Sequence, residues 1–421
     1  MRHERIVAGA DPAALAAELR ALVPAPGLVR DQVAEIVAQV RAHGDEALNS
    51  YTRRFDTGGA EQPAITVSRN ELNTAERDLD PPVRAGLAAA IENVRRVGEA
   101  GIVEDRTVRF DHHQVTLRSA PVSRAAVYVP GGRAPYPSTV VMGVVTARVA
   151  GVTDVAVCAP PSRDGMVDPV VLAACKLAGA TRVYAMGGAQ AIAALAYGTE
   201  SVAPVDVIVG PGNLYVQEAK RQVSGDVGID GFAGPSDLVV VAAHDADPRP
   251  LALDLLAQAE HGDGTLVVAA SDSAQLLYAI GEQLDDAPDT NAIVRLVETG
   301  NLDDALTLAQ SFAPEHLQLA GAAEQLAPRA TSAGCLFVGT AAGTAFGDYI
   351  AGCNHILPTN GAARFSSGLT AAQFRRTFAE VRLDDADALA RAAAPVARAE
   401  GFEFHARSME ARIRDNGGDG S

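Results

Sequence analysis

The sequence predicts an α/β protein: two Rossmann-like parallel-sheet domains, one inserted in the other, with small helical segments at the N- and C-terminal ends. Short β-branched runs that are apolar throughout recur along the chain, as in strands covered by helices on both faces. Segments of helical composition separate these runs, and such alternation indicates parallel βαβ units with right-handed crossovers. The alternation ends near residue 236 and then restarts, which predicts two sheets.

The first regular series begins after Ser123. Its predicted strands are the runs at 125–130, 154–160, 182–187 and 205–212. The segments between them begin near Ser, Asp, Gln or Asn, and most end at Gly, as helix start and stop signals require. We therefore predict an inserted α/β domain over 126–236.

The second series supplies the other domain. Its predicted strands are the runs at 237–245, 265–271 and 334–339. Residues before Ser123 show mostly helical patterns. We predict that 26–125 and 237–370 form one discontinuous α/β domain. Residues 1–25 would be an N-terminal helical segment, and 371–421 a C-terminal helical tail.

Composition excludes several classes of function. The 421 residues include 52 Asp and Glu against 35 Lys and Arg, a net charge of −17, which disfavours binding to nucleic acid or anionic lipid. Aromatic residues make up 5% of the chain and Trp is absent, which argues against a base-stacking surface. No apolar stretch approaches the roughly 18 residues of a membrane span. The isolated cysteines (Cys158, Cys175, Cys335 and Cys353) suit a reducing compartment, so a cytoplasmic protein is expected.

Glycine-rich turns end three of the predicted strands and open helices. They lie at 129–139, 185–193 and 209–215. Any one of them alone is more simply a tight turn, and none completes a G-x-G-x-x-G motif. Three on consecutive βα units of one sheet favour a nucleotide cleft, because open α/β sheets bind ligands there.

Histidines are few, and four of the nine lie in dense polar motifs. Gln258 and His261 are three apart on a predicted helix and share a face, which suits a divalent metal, although a helix-terminal histidine is the simpler interpretation. Glu315 and His316 are placed at the end of a helix, where both could reach one cavity for acid/base work or could merely cap the helix.

Two further motifs contain the other two of these four histidines. Residues 347–359 are rich in Gly, Asp, Asn, His and Pro and include Asp348 and His355, which indicates either an ordered functional loop or a connector rich in turns. His405 follows Glu400 in the tail, where a histidine is usually solvated. Distant segments with histidines beside Gln, Asp and Glu are typical of a metal or acid/base site.

Together these motifs resemble the L-histidinol dehydrogenase family. The segments that carry the resemblance are VYVPGG-x-APYPST, GGAQAIAALAYGTESV, GPGN-x-YV-x-EAK, AGPSD, LLAQAEHG, APEHL, GDYIAGCNHILPT, RFSSGL and EGFEFHA. They follow the family order from about residue 125 to 410. The departures from the family pattern are Gly143, Thr146, Asp237 and Thr344 with Ala345.

The resemblance implies the site residues. It implies acid/base catalysis by Glu315 and His316, and NAD contacts at Tyr128, Gln190 and Asn213. It implies one zinc ion, bound by Gln258, His261, Asp348 and His405. The implied substrate contacts are Ser236, Gln258, His261, His316, Asp348, His355, Glu400 and His405.

The resemblance also implies the reaction and the assembly. The family oxidises L-histidinol through an aldehyde to L-histidine with two NAD, and it forms homodimers in which the C-terminal segment completes the partner's site. Zinc with a Gln ligand is better suited to holding the substrate than to activating water. The alternatives are a dehydrogenase of another polar alcohol, a zinc hydrolase in which Glu315 activates water, and a non-catalytic binding module.

Overall fold

The computed structural model describes residues 1–23, 29–60, 64–131 and 134–414. These residues form two compact units. The first unit combines Met1–Ile102 with Val122–Phe374, and the second combines Val103–Pro121 with the described residues from Arg375 onward.

The strands are listed here in chain order: β1 Glu4–Val7, β2 Arg106–Arg109, β3 His113–Pro121, β4 Arg124–Tyr128, β5 Asp154–Ala159, β6 Arg182–Ala185, β7 Val207–Val209, β8 Gly228–Ile229, β9 Asp237–Ala242, β10 Leu266–Ser271, β11 Ile293–Glu298, β12 His316–Ala320, β13 Cys335–Val338 and β14 Arg375–Leu383.

The α-helices follow in the same way: α1 Pro12–Ala21, α2 Arg30–Phe55, α3 Arg69–Asp78, α4 Pro81–Ala100, α5 Pro137–Val140, α6 Thr146–Val149, α7 Pro169–Ala178, α8 Gly188–Tyr197, α9 Leu214–Val223, α10 Pro248–Ala259, α11 Ala274–Asp285, α12 Leu302–Phe312, α13 Thr344–Tyr349, α14 Asp387–Ala399 and α15 Glu403–Glu410. A π-helical turn, Val141–Val145, joins α5 to α6. Short 3₁₀ helices span Gly321–Arg329, Ala362–Arg364 and Ala371–Phe374.

A six-stranded parallel sheet forms one half of the first unit. Its strand order is β1-β11-β10-β9-β12-β13. Strands β9 and β10 are buried along their whole length, as their apolar sequences predict. Helices α10 and α11 cover one face, and α1 and α12 cover the other.

A five-stranded parallel sheet, of order β6-β5-β4-β7-β8, forms the other half. Its strands come from the chain between β1 and β9 of the six-stranded sheet. The order reverses between β4 and β7, and the carboxyl ends of the strands at such a switch point are where open α/β sheets bind nucleotides. The predicted α/β class with two parallel sheets is therefore confirmed.

Helices α2, α3 and α4 pack into the cores on either face of the five-stranded sheet. From the sequence, these residues were expected to belong with the chain of the six-stranded sheet, within 26–125 and 237–370. The division of the chain into four parts stays a prediction, and in the structure α2, α3 and α4 contribute to the cores of the five-stranded sheet.

The second unit contains a three-stranded antiparallel sheet of order β14-β3-β2, followed along the chain by α14 and α15. The sequence predicted helices alone for the tail. Strands β3 and β14 were not predicted; both contain charged residues and leave much of their length exposed, so neither forms a continuous apolar run. The two strands pair although they lie far apart in the chain. Between them, the Arg118 guanidinium donates to the Glu380 carboxylate at 2.8 Å.

No helix in the described ranges is long and apolar enough to cross a membrane.

Candidate active site

Glu315 and His316 lie where β12 begins. The sequence placed this pair at the end of a helix, but α12 ends at Phe312 and Ala313 takes a left-handed conformation with φ of 51°. Pro314 has no N–H with which to continue the helix, so the chain turns and enters the sheet. The prediction of a helix terminus was wrong by a few residues, and the pair instead occupies the amino-terminal edge of the six-stranded sheet.

The Glu315 carboxylate is buried beside the start of β9. The Ser236 hydroxyl donates to its Oε2, and the Asp237 backbone N–H donates to the same oxygen at 3.2 Å. Burial raises the pKa of Glu315 to about 7; the charge of Asp237 raises it further, whereas His316 and the hydrogen bond from Ser236 act to lower it. A carboxyl group poised near neutrality can accept and release a proton at physiological pH.

His316 lies between two carboxylates. Its Nε2 is 3.6 Å from Oδ1 of Asp348, and its Nδ1 is 3.8 Å from Oε2 of Glu315. Burial acts to lower the pKa of His316, but the negative charge of Glu315 and the interaction with Asp348 outweigh it and raise the pKa to about 9. Nδ1 is buried and makes no hydrogen bond within the described part of the chain. The imidazole therefore sits where a proton taken from a ligand is stabilised on it.

Gln258, His261 and Asp348 bring the donor types that zinc accepts. The Gln258 amide, 2% exposed, donates from Nε2 to Oγ of Ser236 at 2.5 Å, and its oxygen is the branch that a metal would bind. His261 follows α10 and is exposed. Burial acts to raise the pKa of Asp348, but His316, His355 and His261 lower it overall, which favours the ionised carboxylate.

The donors in the first unit are thus an amide, an imidazole and a carboxylate, a set that fits zinc. In the residues that the structure describes, however, no group of three or more His, Cys, Asp and Glu side chains could hold a metal ion. Glu400 and His405 lie in the second unit and are exposed, Glu400 at the end of α14 and His405 in α15, where its ring contacts Phe402.

His355 lies in the loop after α13. Its Nδ1 is 2.9 Å from the Asp348 carbonyl oxygen, which can only accept, so Nδ1 carries the proton. Nε2 lies 3.3 Å from the Thr139 hydroxyl. Burial lowers the pKa of His355, so its neutral form is favoured and Nε2 presents a hydrogen-bond acceptor.

Comparisons with known proteins identify the family. Residues 25–413 match the family model described as histidinol dehydrogenase. The chain belongs to the histidinol dehydrogenase family. The histidinol dehydrogenase of Haloarcula marismortui is 42% identical over 400 residues, covering 91% of this chain and 94% of that protein. That of Parasynechococcus marenigrum is 44% identical over 400 residues, covering 91% of each.

A solved structure agrees in fold. The crystal structure of histidinol dehydrogenase from Elizabethkingia anophelis matches with a TM-score of 0.91 and 28% sequence identity, covering 98% of each chain. The family resemblance stated from the motifs is confirmed.

The side chains that the histidinol dehydrogenase resemblance assigns to NAD lie at the carboxyl ends of the five-stranded sheet. The Tyr128 hydroxyl, at the end of β4, accepts from the Gly188 N–H at 3.1 Å. Gln190 is buried in α8 and donates to Oδ2 of Asp56 at 3.2 Å. Asn213 is exposed and caps α9, where its Oδ1 accepts from two backbone N–H groups.

Two of the glycine-rich turns have carboxylates bound to them. Asp56 accepts from the Gly187 N–H, and burial raises its pKa to about 6. Asp230 accepts from the Gly210 N–H at 2.6 Å and pairs with the buried Lys220. In the third turn, 132–133 lie outside the described residues. Sequence reasoning missed Asp56, which lies in the N-terminal part of the chain where the family motifs are sparse.

Arg20 is a second residue that the sequence did not indicate. Its Nη1 donates to Oδ2 of Asp237 at 2.6 Å, and Oδ1 of the same carboxylate accepts from the Glu315 N–H at 2.6 Å. Nη2 donates to the Phe312 carbonyl, and the guanidinium lies 3.5 Å from the centre of the Phe312 ring. Arg20 thus supports the backbone of the candidate base through Asp237, which is itself a departure from the family pattern.

Proposed function

We propose that this chain oxidises L-histidinol to L-histidine through L-histidinaldehyde, in two sequential NAD-dependent hydride transfers that complete histidine biosynthesis. The observation that carries the proposal is the buried pair of Glu315 and His316 with Asp348 beside it, in a chain of this family. The named relatives support the choice of substrate. The enzyme would be an oxidoreductase acting on a CH–OH group.

In the proposed mechanism His316 accepts the alcohol proton after losing its own proton, which a pKa of about 9 favours at alkaline pH. Its Nε2 lies near Asp348, and its Nδ1 lies near Glu315. The two carboxylates stabilise the imidazolium that forms when the proton arrives, which lowers the barrier to the first oxidation.

Glu315 acts in the second half of the reaction. The aldehyde needs an attacking water, and a carboxylate whose pKa is raised to about 7 by burial can take a proton from that water near neutral pH. The Ser236 hydroxyl and the Asp237 N–H fix Oε2 in place.

When bound, NAD would supply the hydride acceptor. Tyr128, Gln190 and Asn213 are proposed to contact it at the carboxyl ends of the five-stranded sheet, beside the switch point between β4 and β7. The choice of NAD rests on the family resemblance and on this position in the fold.

Zinc fits the donor set described above, and Gln258, His261 and Asp348 would hold it together with His405 of the partner subunit. When bound, it would fix the nitrogen atoms of the substrate and so orient the carbinol carbon. The substrate would also be held by Ser236, His316, His355 and the partner subunit's Glu400. This arrangement requires a homodimer, and we propose that the enzyme works in the cytoplasm.

The test counts NADH. The purified enzyme is incubated with a limiting amount of L-histidinol and excess NAD, with and without a chelator. We expect two NADH per histidinol, loss of activity on chelation, and recovery on adding zinc. A yield of one NADH, or no reaction with histidinol but reaction with another polar alcohol, would overturn the proposal in favour of a related dehydrogenase.

A further inference from the structure

The helix that follows β4 is interrupted where it faces the loop bearing His355. Helices α5 and α6 are joined by the π-helical turn Val141–Val145. A π-helical turn has i→i+5 hydrogen bonds instead of the i→i+4 bonds of an α-helix, and such turns are frequent at functional sites. The turn packs closely on Val127 of β4: a Cβ added at Gly143 would lie 2.5 Å from the Val127 side chain.

Asn354 approaches the helix at this turn. Its Nδ2 donates to the Met142 carbonyl at 3.0 Å and to the Thr146 hydroxyl at 3.2 Å. The Thr146 hydroxyl donates in turn to the same Met142 carbonyl at 2.6 Å. Met142 and Thr146 are buried. We name these three groups, the Met142 carbonyl, the Thr146 hydroxyl and the Asn354 amide, the clasp.

The clasp fixes the chain on both sides of His355. Oδ1 of Asn354 accepts from the Ile356 N–H at 2.9 Å, which closes a turn around His355. The imidazole itself is held by the Asp348 carbonyl at Nδ1 and faces Thr139 with Nε2. Thr139 belongs to the same interrupted helix. The interrupted helix that follows β4 therefore holds His355 in two ways: through Asn354 at the backbone of the loop, and through Thr139 at Nε2 of the ring.

We propose that Thr146 is a positioning residue that, through Asn354, fixes His355 for substrate binding. This inference rests on the proposed function, which assigns His355 to the substrate. Gly143 and Thr146 are two of the departures from the family pattern, and both lie in this region: the small residue permits the close approach to Val127, and the hydroxyl joins the clasp.

The first variant is Thr146→Val, which keeps the shape of the side chain and removes the hydroxyl. One N–H of the Asn354 amide then loses its acceptor in a buried place, and the loop shifts to satisfy it. We expect KM for histidinol to rise about tenfold, with kcat changed less than about twofold, because His355 holds the substrate and the reacting groups are untouched. Thr146→Ser keeps the hydroxyl and should return KM towards the wild-type value.

A control variant tests whether loss of a threonine's bond to the carbonyl four residues before it is enough to raise KM. The Thr307 hydroxyl in α12 donates to the Asp303 carbonyl four residues before it, the same local bond that Thr146 makes to Met142. Thr307→Val should leave KM unchanged. Equal KM values for Thr146→Val and the wild-type enzyme, or a rise in KM with Thr307→Val of the same size, would overturn the proposal.

A double-mutant cycle tests the route through Asn354. If Thr146 acts through the amide, Thr146→Val should add no further rise in KM to an Asn354→Ala enzyme, whereas additive effects would contradict the clasp. Hydrogen exchange gives a readout that does not depend on turnover: the amides of 353–357 should exchange faster in Thr146→Val and not in Thr307→Val. A wild-type enzyme inactive on histidinol would refute the proposed function, and the exchange result would still decide whether the clasp orders the loop.

Discussion

The contact between Arg20 and Asp237 allows a quantitative prediction about the candidate base. Arg20→Met removes the guanidinium and retains a flexible apolar side chain of similar length. The Asp237 carboxylate, 1% exposed, then loses its cation and keeps the hydrogen bond from the Glu315 N–H. The Phe312 carbonyl loses its donor at the same time.

The expected cost follows from burial. Removing one partner of a buried ion pair costs about 3–5 kcal/mol, because the remaining charge is left without compensation. The Arg20 side chain is 18% exposed, so water can reach part of the vacated space and the lower end applies. We expect the free energy of unfolding to fall by about 3 kcal/mol. Adding Asp237→Asn removes the stranded charge and should recover more than half of that loss.

Urea unfolding followed by far-ultraviolet circular dichroism measures the effect, since the chain has no tryptophan for fluorescence. Arg329→Met is the matched control: this guanidinium also pairs with a carboxylate, that of Asp303, but both side chains are more than half exposed. An exposed pair contributes about 1 kcal/mol or less. Equal losses of stability in Arg20→Met and Arg329→Met would show that burial does not strengthen the Arg20–Asp237 pair.

Three further predictions concern the reaction. His316→Asn should lower kcat by about a hundredfold or more with bound zinc unchanged by elemental analysis, and retained turnover would show that His316 is not the base. The rate of L-histidinaldehyde oxidation should fall as the pH drops below about 7, because Glu315 must be deprotonated to accept a proton from water and burial raises its pKa to about 7. Stopped-flow measurements of this rate against pH, for the wild type and Glu315→Gln, test the prediction. A wild-type rate that does not change with pH would contradict it. Lys220→Met removes the cation that pairs with the buried Asp230 carboxylate, which accepts from the Gly210 N–H. We expect KM for NAD to rise and the urea midpoint of unfolding to fall, because the remaining charge is left without compensation. Unchanged values would exclude a role for this ion pair in the turn.

Strands that are apolar on both faces could be predicted from the sequence, and those that carry polar side chains could not. Strands β9 and β10 appear as continuous apolar runs because helices cover both faces of their sheet. Strand β12 was missed, since its five residues include His316 and Gln318, both buried. The sequence of so short a strand does not show that burial, which comes from its position between β9 and β13.

The candidate site shows the same division. Glu315, His316, Asp348 and His355 could be selected because each lies in a dense motif, and the structure brings them together around His316 and Asp348. Their assigned roles stay predictions. Arg20 could not be found from the sequence, because nothing near it distinguishes it from other arginines. Its importance comes from a contact with Asp237, 217 positions away.

The candidate site residues lie at opposite edges of the two sheets, and the loop with Asn354 and His355 contacts a helix of the five-stranded sheet. Ser236 and Glu315 precede β9 and β12, at the amino ends of the six-stranded sheet, whereas Tyr128 ends β4 at the carboxyl edge of the five-stranded sheet. The proposed acid/base groups and the proposed NAD contacts therefore come from different sheets, and hydride transfer would require them to be aligned to within about 1 Å. Backbone packing within either sheet does not ensure that alignment. Asn354 bonds the helix after β4 to the loop that bears His355, so we expect substitutions in the clasp to weaken substrate binding and to leave both sheets intact.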